Sequence, residues 1–370
     1  MKWPSLFILT VSSLLFISCN RPEGYKVTAE LTGFPDSTQF YLNSSTTEEN
    51  FDSAIMVHDK VVFQGKLEDP PDFIWMTAVV NKELHYCFFW LENDVVNING
   101  DIKDLPWSIK ISGSKIQEEQ KDLEKIINPI ARLRDSLAQA FFNLSPELQE
   151  KQGKEAWARI DKLDSLTRDA RITFIKSHTN TYTAVLDLTY YLQYLPKDTI
   201  QALYNKLNPE IKASRYAKKI EIFLTEKISE IGDPYHDFEA FDKDGKLVKL
   251  SSFTGKYILL DFTSANCGPC VQSAGELRKI HNTYSDSLVI VSFSADPKKE
   301  IWLNSLTRDT VTWTSLWDGK GTFSETYIKY GINGIPTFFL IDPKGKIIDK
   351  WVGYGKGSLE SKLEITNIVI

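Results

Sequence analysis

The chain has 370 residues and a formal net charge of −6, from 43 Lys and Arg against 49 Asp and Glu. Acids and bases are well mixed with no basic stripe carrying interleaved aromatics, which argues against nucleic acid as a partner. The length suits two or three domains, and four cysteines with five scattered histidines supply no ligand set at structural-zinc spacing.

At the start, Lys2 is the only early charge, and residues 6–17 form an apolar run interrupted only by Thr10, Ser12 and Ser13. That run is shorter than the roughly 20 residues a membrane span needs, and it suits a secretory signal covering residues 1–18. The ending Leu15-Phe16-Ile17-Ser18-Cys19 resembles a bacterial lipobox. The resemblance implies cleavage before Cys19, lipidation of that cysteine and a tether over residues 19–24. An ordinary signal peptide cut near Ser18 is the competing reading. Export places the other thiols outside the cytosol, where a dithiol must be kept reduced to act as a reductant. No other apolar run is long enough to span a bilayer, so membrane contact is expected through the anchor alone.

Residues 25–113 read as a β-rich module. Tyr25, Val27, Ala29 and Leu31 alternate with Lys26, Thr28 and Glu30, and Trp107, Ile109 and Ile111 alternate with polar residues. Strand-like runs at 39–42, 61–64, 73–80, 86–91 and 95–99, separated by turn residues, predict a small antiparallel sandwich or barrel. Cys87, among aromatic residues, reads as a buried apolar side chain, not a reactive thiol.

Residues 114–230 read as helical. Ile126, Ile130, Leu133, Leu137 and Phe141 give one apolar set, and Trp157, Ile160, Leu163, Ala170 and Phe174 another. Asn128-Pro129, Ser145-Pro146 and Asn208-Pro209 read as N-cap and first-turn pairs dividing the segment. The charges are expected on solvated faces, and the aromatics Tyr190, Tyr191 and Tyr194 in ordinary packing.

Residues 231–370 alternate strand and helix patterns. The apolar run 257–260 leads through Asp261 to Cys267-Gly268-Pro269-Cys270, and a helical pattern follows over 271–284. A Cys-x-x-Cys at a strand-to-helix junction points to redox chemistry. The first cysteine meets the unpaired N–H groups and positive end of the helix, which favour the thiolate. Its partner lies one turn on, within reach of a disulfide. A structural zinc site lacks a second ligand pair, and a structural disulfide across so short a loop restrains the unfolded chain little. Nothing here calls for a metal or a cofactor.

Leu259-Leu260-Asp261-Phe262, Cys267-Gly268-Pro269-Cys270, Gly334-Ile335-Pro336-Thr337 and the 340–345 turn together resemble the TlpA/ResA group of exported thiol-disulfide oxidoreductases. The whole chain resembles lipoproteins that join a β-module, a helical segment and a thioredoxin-like domain. The expected fold class is therefore α+β multidomain, with an N-terminal antiparallel β sandwich or barrel, a helical middle and a C-terminal thioredoxin-like α/β fold. The resemblance implies that Cys267 attacks and Cys270 resolves the mixed disulfide. Asp261 is the buried carboxylate that exchanges a proton with Cys270, its pKa raised by burial. The Ile335–Pro336 bond is expected to be cis, with Ile335 and Pro336 meeting the substrate strand beside Gly268 and Pro269. Disulfide-containing proteins are the implied substrates, with an unidentified thiol as electron donor. The implied location is the bacterial cell envelope, lipid-anchored and facing the periplasm, with inner and outer membrane both open.

The chain departs from that group where Asn266 stands in place of tryptophan, Ser273 in place of glutamate and Gly275 in place of proline. Those departures keep open a partner-binding envelope lipoprotein whose redox site is secondary. A thiol peroxidase is a third reading, which needs an arginine at Cys267; Arg278 is the nearest in sequence.

Overall fold

The computed structural model describes residues 23–45 and 50–365, so the expected signal segment 1–18 and Cys19 lie outside the described residues. The first part comprises the strands Tyr25–Thr32 (β1), Gln39–Ser44 (β2), Asn50–Ile55 (β3), Lys60–Gly65 (β4), Asp72–Val80 (β5), Glu83–Leu91 (β6), Val95–Asp101 (β7) and Lys110–Ser112 (β8). They form two four-stranded sheets, ordered β4-β1-β7-β8 and β3-β2-β5-β6. Alternation puts Val27, Ala29 and Leu31 on the inner face against Phe40, Ile74 and Phe89 of the other sheet. The result is a sandwich with one parallel pairing, β1 beside β7. Strands β5 and β6 meet at a two-residue turn in which Asn81 and Lys82 have φ of 52° and 69°, the left-handed geometry that matches strand twist.

One strand and one boundary differ from the sequence expectation. β3 was not expected, because Asn-Phe-Asp-Ser-Ala-Ile has little apolar alternation; it is an edge strand exposed along much of its length. Trp107 and Ile109 lie before β8, which begins only at Lys110.

The helical part holds Lys115–Phe142 (α1), Pro146–Ser177 (α2), Tyr182–Tyr191 (α3), Lys197–Asn205 (α4), Pro209–Lys212 (α5) and Arg215–Thr225 (α6). Pro146 and Pro209 open helices, and the Asn208 side chain caps the Ile211 N–H. Asn128-Pro129 does not open one: Pro129 lies inside α1. Burial of Ile116, Leu123, Ile127, Ala138 and Phe141 outweighs the roughly 3 kcal/mol an interior proline costs. This buried stripe also corrects the expected one. Ile126 and Leu133 are 46% and 53% exposed, because two apolar stripes share helical spacing and periodicity alone does not choose which faces the core.

The expectation of purely solvated charges fails too. Arg171 Nη1 donates to both oxygens of buried Asp187 at 2.7 and 2.9 Å. Arg215 pairs with buried Asp72 and stacks on Tyr216 and Phe323 at 5.1 and 5.5 Å. That arginine ties β5, α6 and the C-terminal part together. Tyr190 and Tyr194 are exposed, with Arg168 over the Tyr194 ring.

The last part contains Glu239–Phe241 (β9), Leu247–Lys249 (β10), Tyr257–Thr263 (β11), Gly268–Tyr284 (α7), Leu288–Ser294 (β12), Lys299–Arg308 (α8), Thr314–Trp317 (β13), Glu325–Lys329 (α9), Thr337–Ile341 (β14), Ile347–Val352 (β15) and Ser358–Ile365 (α10). Its seven-stranded sheet runs β10-β9-β13-β12-β11-β14-β15. β11 is parallel to β12 and antiparallel to β14. Leu259, Leu277, Ile290, Phe338 and Leu363 pack one face, and Leu260, Phe262, Phe293, Tyr330 and Phe339 the other. Burial on both faces accounts for the unbroken apolar runs. The fold is a thioredoxin-like sheet domain. Among the described residues no helix is long and apolar enough to cross a membrane.

Candidate active site

Strand β11 ends at Thr263, and a short turn delivers Cys267 to the N-cap of α7 in extended backbone conformation. Pro269 falls in the first helical turn, where its missing N–H costs nothing. The Cys270 N–H donates to Cys267 Sγ at 3.2 Å, one of the orphan donors that stabilise negative charge on that sulfur. Cys267 and Cys270 are joined as a disulfide. Cys267 is half-buried with Gly268 and Pro269 exposed beside it, whereas Cys270 is only 5% exposed.

The Ile335 carbonyl oxygen lies 3.5 Å from Cys267 Sγ, and the Ile335–Pro336 peptide is cis. Behind the sulfurs, Asp261 is 2% exposed at the middle of β11. One oxygen accepts from Ser292 Oγ at 2.8 Å, and Ser292 Oγ accepts from Trp313 Nε1 at 2.8 Å. Among the described residues Asp261 Oδ1 has no hydrogen-bond partner. Burial pushes its carboxyl up to about 7, against the smaller downward pull of the Ser292 hydroxyl. Asp261 and Cys270 line the same cavity of about 30 Å³, room for about one water molecule. Cys267, Cys270, Asp261, Ile335 and Pro336 are thus brought together; Cys19 lies outside the described residues.

Asp296, absent from the expected site, lines that cavity as well. It is 2% exposed. Its carboxylate accepts from Ser264 Oγ at 2.9 Å, Ser294 Oγ at 2.6 Å and the Ala265 N–H at 3.0 Å. It therefore anchors the turn that carries Cys267. The only sequence sign of it is a Ser-Ala-Asp closing the second buried strand.

Residues 231–350 match the AhpC/TSA family, and residues 25–120 match a domain of unknown function, DUF4369. The thiol-disulfide oxidoreductase ResA of Bacillus thuringiensis is 30% identical over 132 residues, 35% of this chain and 75% of that protein. The thioredoxin-like protein YneN of Bacillus subtilis is 31% identical over 155 residues, 40% of this chain and 85% of that one. The chain belongs to the thioredoxin-like thiol-disulfide oxidoreductases. The oxidoreductase is also similar to the solved thioredoxin domain of a thiol-disulfide oxidoreductase from Bacteroides vulgatus. The two are 28% identical, covering 37% of this chain and 98% of that one, with a TM-score of 0.35.

The departures from the group have structural consequences in this oxidoreductase. Ser273 is buried and donates to the Cys270 carbonyl at 2.8 Å, so a helix-internal hydrogen bond occupies the place of an acid. Gly275 leaves α7 continuous and faces open space. Asn266 is exposed beside Cys267, where it offers a polar edge. Arg278 donates to the carbonyls of Thr310 and Asp309. Cys87 is buried in the sandwich core, and burial pushes its thiol up to about 12. It is remote from the dithiol in role.

Proposed function

We propose that the oxidoreductase works in the reducing direction on protein disulfides in the bacterial envelope, tethered through lipid on Cys19. The observation that carries this reading is the asymmetry of the pair: an accessible Cys267 at a helix N-terminus, with a buried Cys270 sharing a cavity with a protonatable Asp261. In the reduced enzyme the Cys267 thiolate attacks one sulfur of the substrate disulfide. A mixed disulfide forms and the other substrate sulfur leaves as a thiolate. Asp261 takes the proton from the Cys270 thiol, whose sulfur then attacks Cys267 Sγ. The second substrate thiolate departs and the Cys267–Cys270 bond closes. Two electrons have passed to the substrate, and an external thiol donor must return them.

The Gly-Pro pair between the cysteines favours the reducing direction, since it is the pair found in thioredoxin, a reductant near about −270 mV. The peroxidase reading loses support because Arg278 is committed to two backbone carbonyls. A partner-binding lipoprotein with a secondary redox site is the alternative to be separated. A Cys270→Ser variant in cells should accumulate mixed disulfides with client proteins, released by dithiothreitol and absent from Cys267→Ser. If none accumulate, action on protein disulfides is refuted and the binding reading gains.

A further inference from the structure

Helix α1 and the outer face of the β5–β6 pair enclose a cavity of about 340 Å³, within the range of ligand sites. Phe73, Tyr86 and Phe88 form its sheet-side wall, and Pro106 and Trp107 close it from above. The rings are ordered: Phe73 stacks on Phe88 at 5.6 Å, and Tyr86 meets Phe88 edge-on at 5.7 Å. The opposite wall is one face of α1, with Gln117, Gln120, Glu124 and Asn128 in successive turns. A second cavity of about 540 Å³ shares Lys121, Glu124 and Asn128 and continues past Pro129 to Arg132. From Gln117 to Arg132 the helix advances roughly 22 Å, the length of six or seven residues of extended chain at about 3.3 Å each.

The amide groups along this wall are incompletely used. Gln117 is 1% exposed, and its Oε1 accepts the Trp90 N–H at 3.0 Å; its amide N–H groups have no partner among the described residues. Gln120, 7% exposed, donates to Glu124 at 3.1 Å and keeps its own oxygen as an acceptor. Burial raises the Glu124 carboxyl above the usual range. Pro129 has no N–H to give the Lys125 carbonyl one turn back. Three of the nearby cations are paired with acids: Arg171 with Asp187, Lys121 with Glu118, Lys125 with Asp122. Arg132 is held over Trp107 and donates to its carbonyl.

The amides of Gln117, Gln120 and Asn128 along one wall face aromatic rings along the other. We infer that this groove binds an extended segment of polypeptide rich in aromatic and aliphatic side chains, its backbone on the α1 amides and its side chains on the β5–β6 rings. It would give the oxidoreductase a hold on an unfolded substrate chain apart from the dithiol. The occupant's identity as substrate rests on the reading that this enzyme acts on protein disulfides.

The test uses the full chain and a fluorescent, capped, cysteine-free octapeptide alternating Phe or Leu with Ser or Thr, followed by anisotropy. Saturable binding is expected below about 1 mM. Trp107→Ala and Asn128→Leu should each weaken it roughly tenfold, as should replacing the peptide's Phe and Leu by Ser. The all-polar peptide needs no variant, so a misfolded mutant does not spoil the test. No saturation by about 1 mM, unchanged affinity in folded variants, or equal binding of the all-polar peptide overturns the inference. Because the probe has no sulfur, such a result leaves the disulfide chemistry standing. Peptide binding without mixed-disulfide capture by Cys270→Ser would refute the chemistry and leave the groove.

Discussion

The Asp296 carboxylate accepts the Ser264 hydroxyl at 2.9 Å, across a junction made by the parallel pairing of Thr263 with Ser294. The strand that carries Asp261 and the strand beside it therefore end in a clamp on the turn that presents Cys267. An Asp296→Asn change sets an amide N–H against donors from Ser294 and Ala265. It is expected to lower stability by about 2 kcal/mol and to slow thiol exchange at Cys267 by roughly tenfold, through misplacement of the turn. Urea melts and single-turnover reduction of a small disulfide check both. A variant matching wild type in both would remove Asp296 from the site.

Asp261 makes stability depend on pH. Its folded-state value of about 7 lies above its ordinary 3.8. Between those values the unfolded chain releases a proton that the folded chain keeps, so stability falls as pH rises and levels off above the folded value. The shift corresponds to a loss on the order of 4 kcal/mol. In the oxidised Asp261→Asn protein that dependence disappears, so the variant gains on wild type from pH 4 to pH 8. Urea midpoints across that range measure it, and parallel pH profiles would contradict the assignment. The mixed disulfide should also live longer in this variant, because Asn takes no proton from Cys270.

Cys87 and Cys267 should differ sharply in reactivity. Cys87 is 1% exposed with its thiol pushed up to about 12, and thiolate content governs alkylation. In the native, reduced protein iodoacetamide is expected to label Cys267 and to spare Cys87 until the chain is unfolded. Peptide mass mapping reads the result; native labelling of Cys87 at a comparable rate would show the sandwich core open.

Much of this site was legible because it is local in sequence. Asp261, Cys267 and Cys270 sit on one strand, one turn and the start of one helix, and a redox dithiol needs little more. Asp296 and Ser292 were not legible for the opposite reason. Each acts only through the register of β11 on β12, which places Ser292 beside Asp261 and Ser294 beside Thr263. Elsewhere the limits were set by tertiary burial. Pro129 signals a helix start but lies within one whose apolar face is packed on both sides of it. Ile126 and Leu133 have the spacing of a core stripe and are exposed because α1 turns Leu123 and Ile127 inward instead. β3 lies at a sheet edge and so carries no apolar alternation to read.

The equilibrium potential of the Cys267–Cys270 couple against glutathione tests the central claim most directly, since it decides which way electrons run. The reductase account predicts a value near about −270 mV. A value near about −120 mV, typical of a strong oxidant, would contradict it.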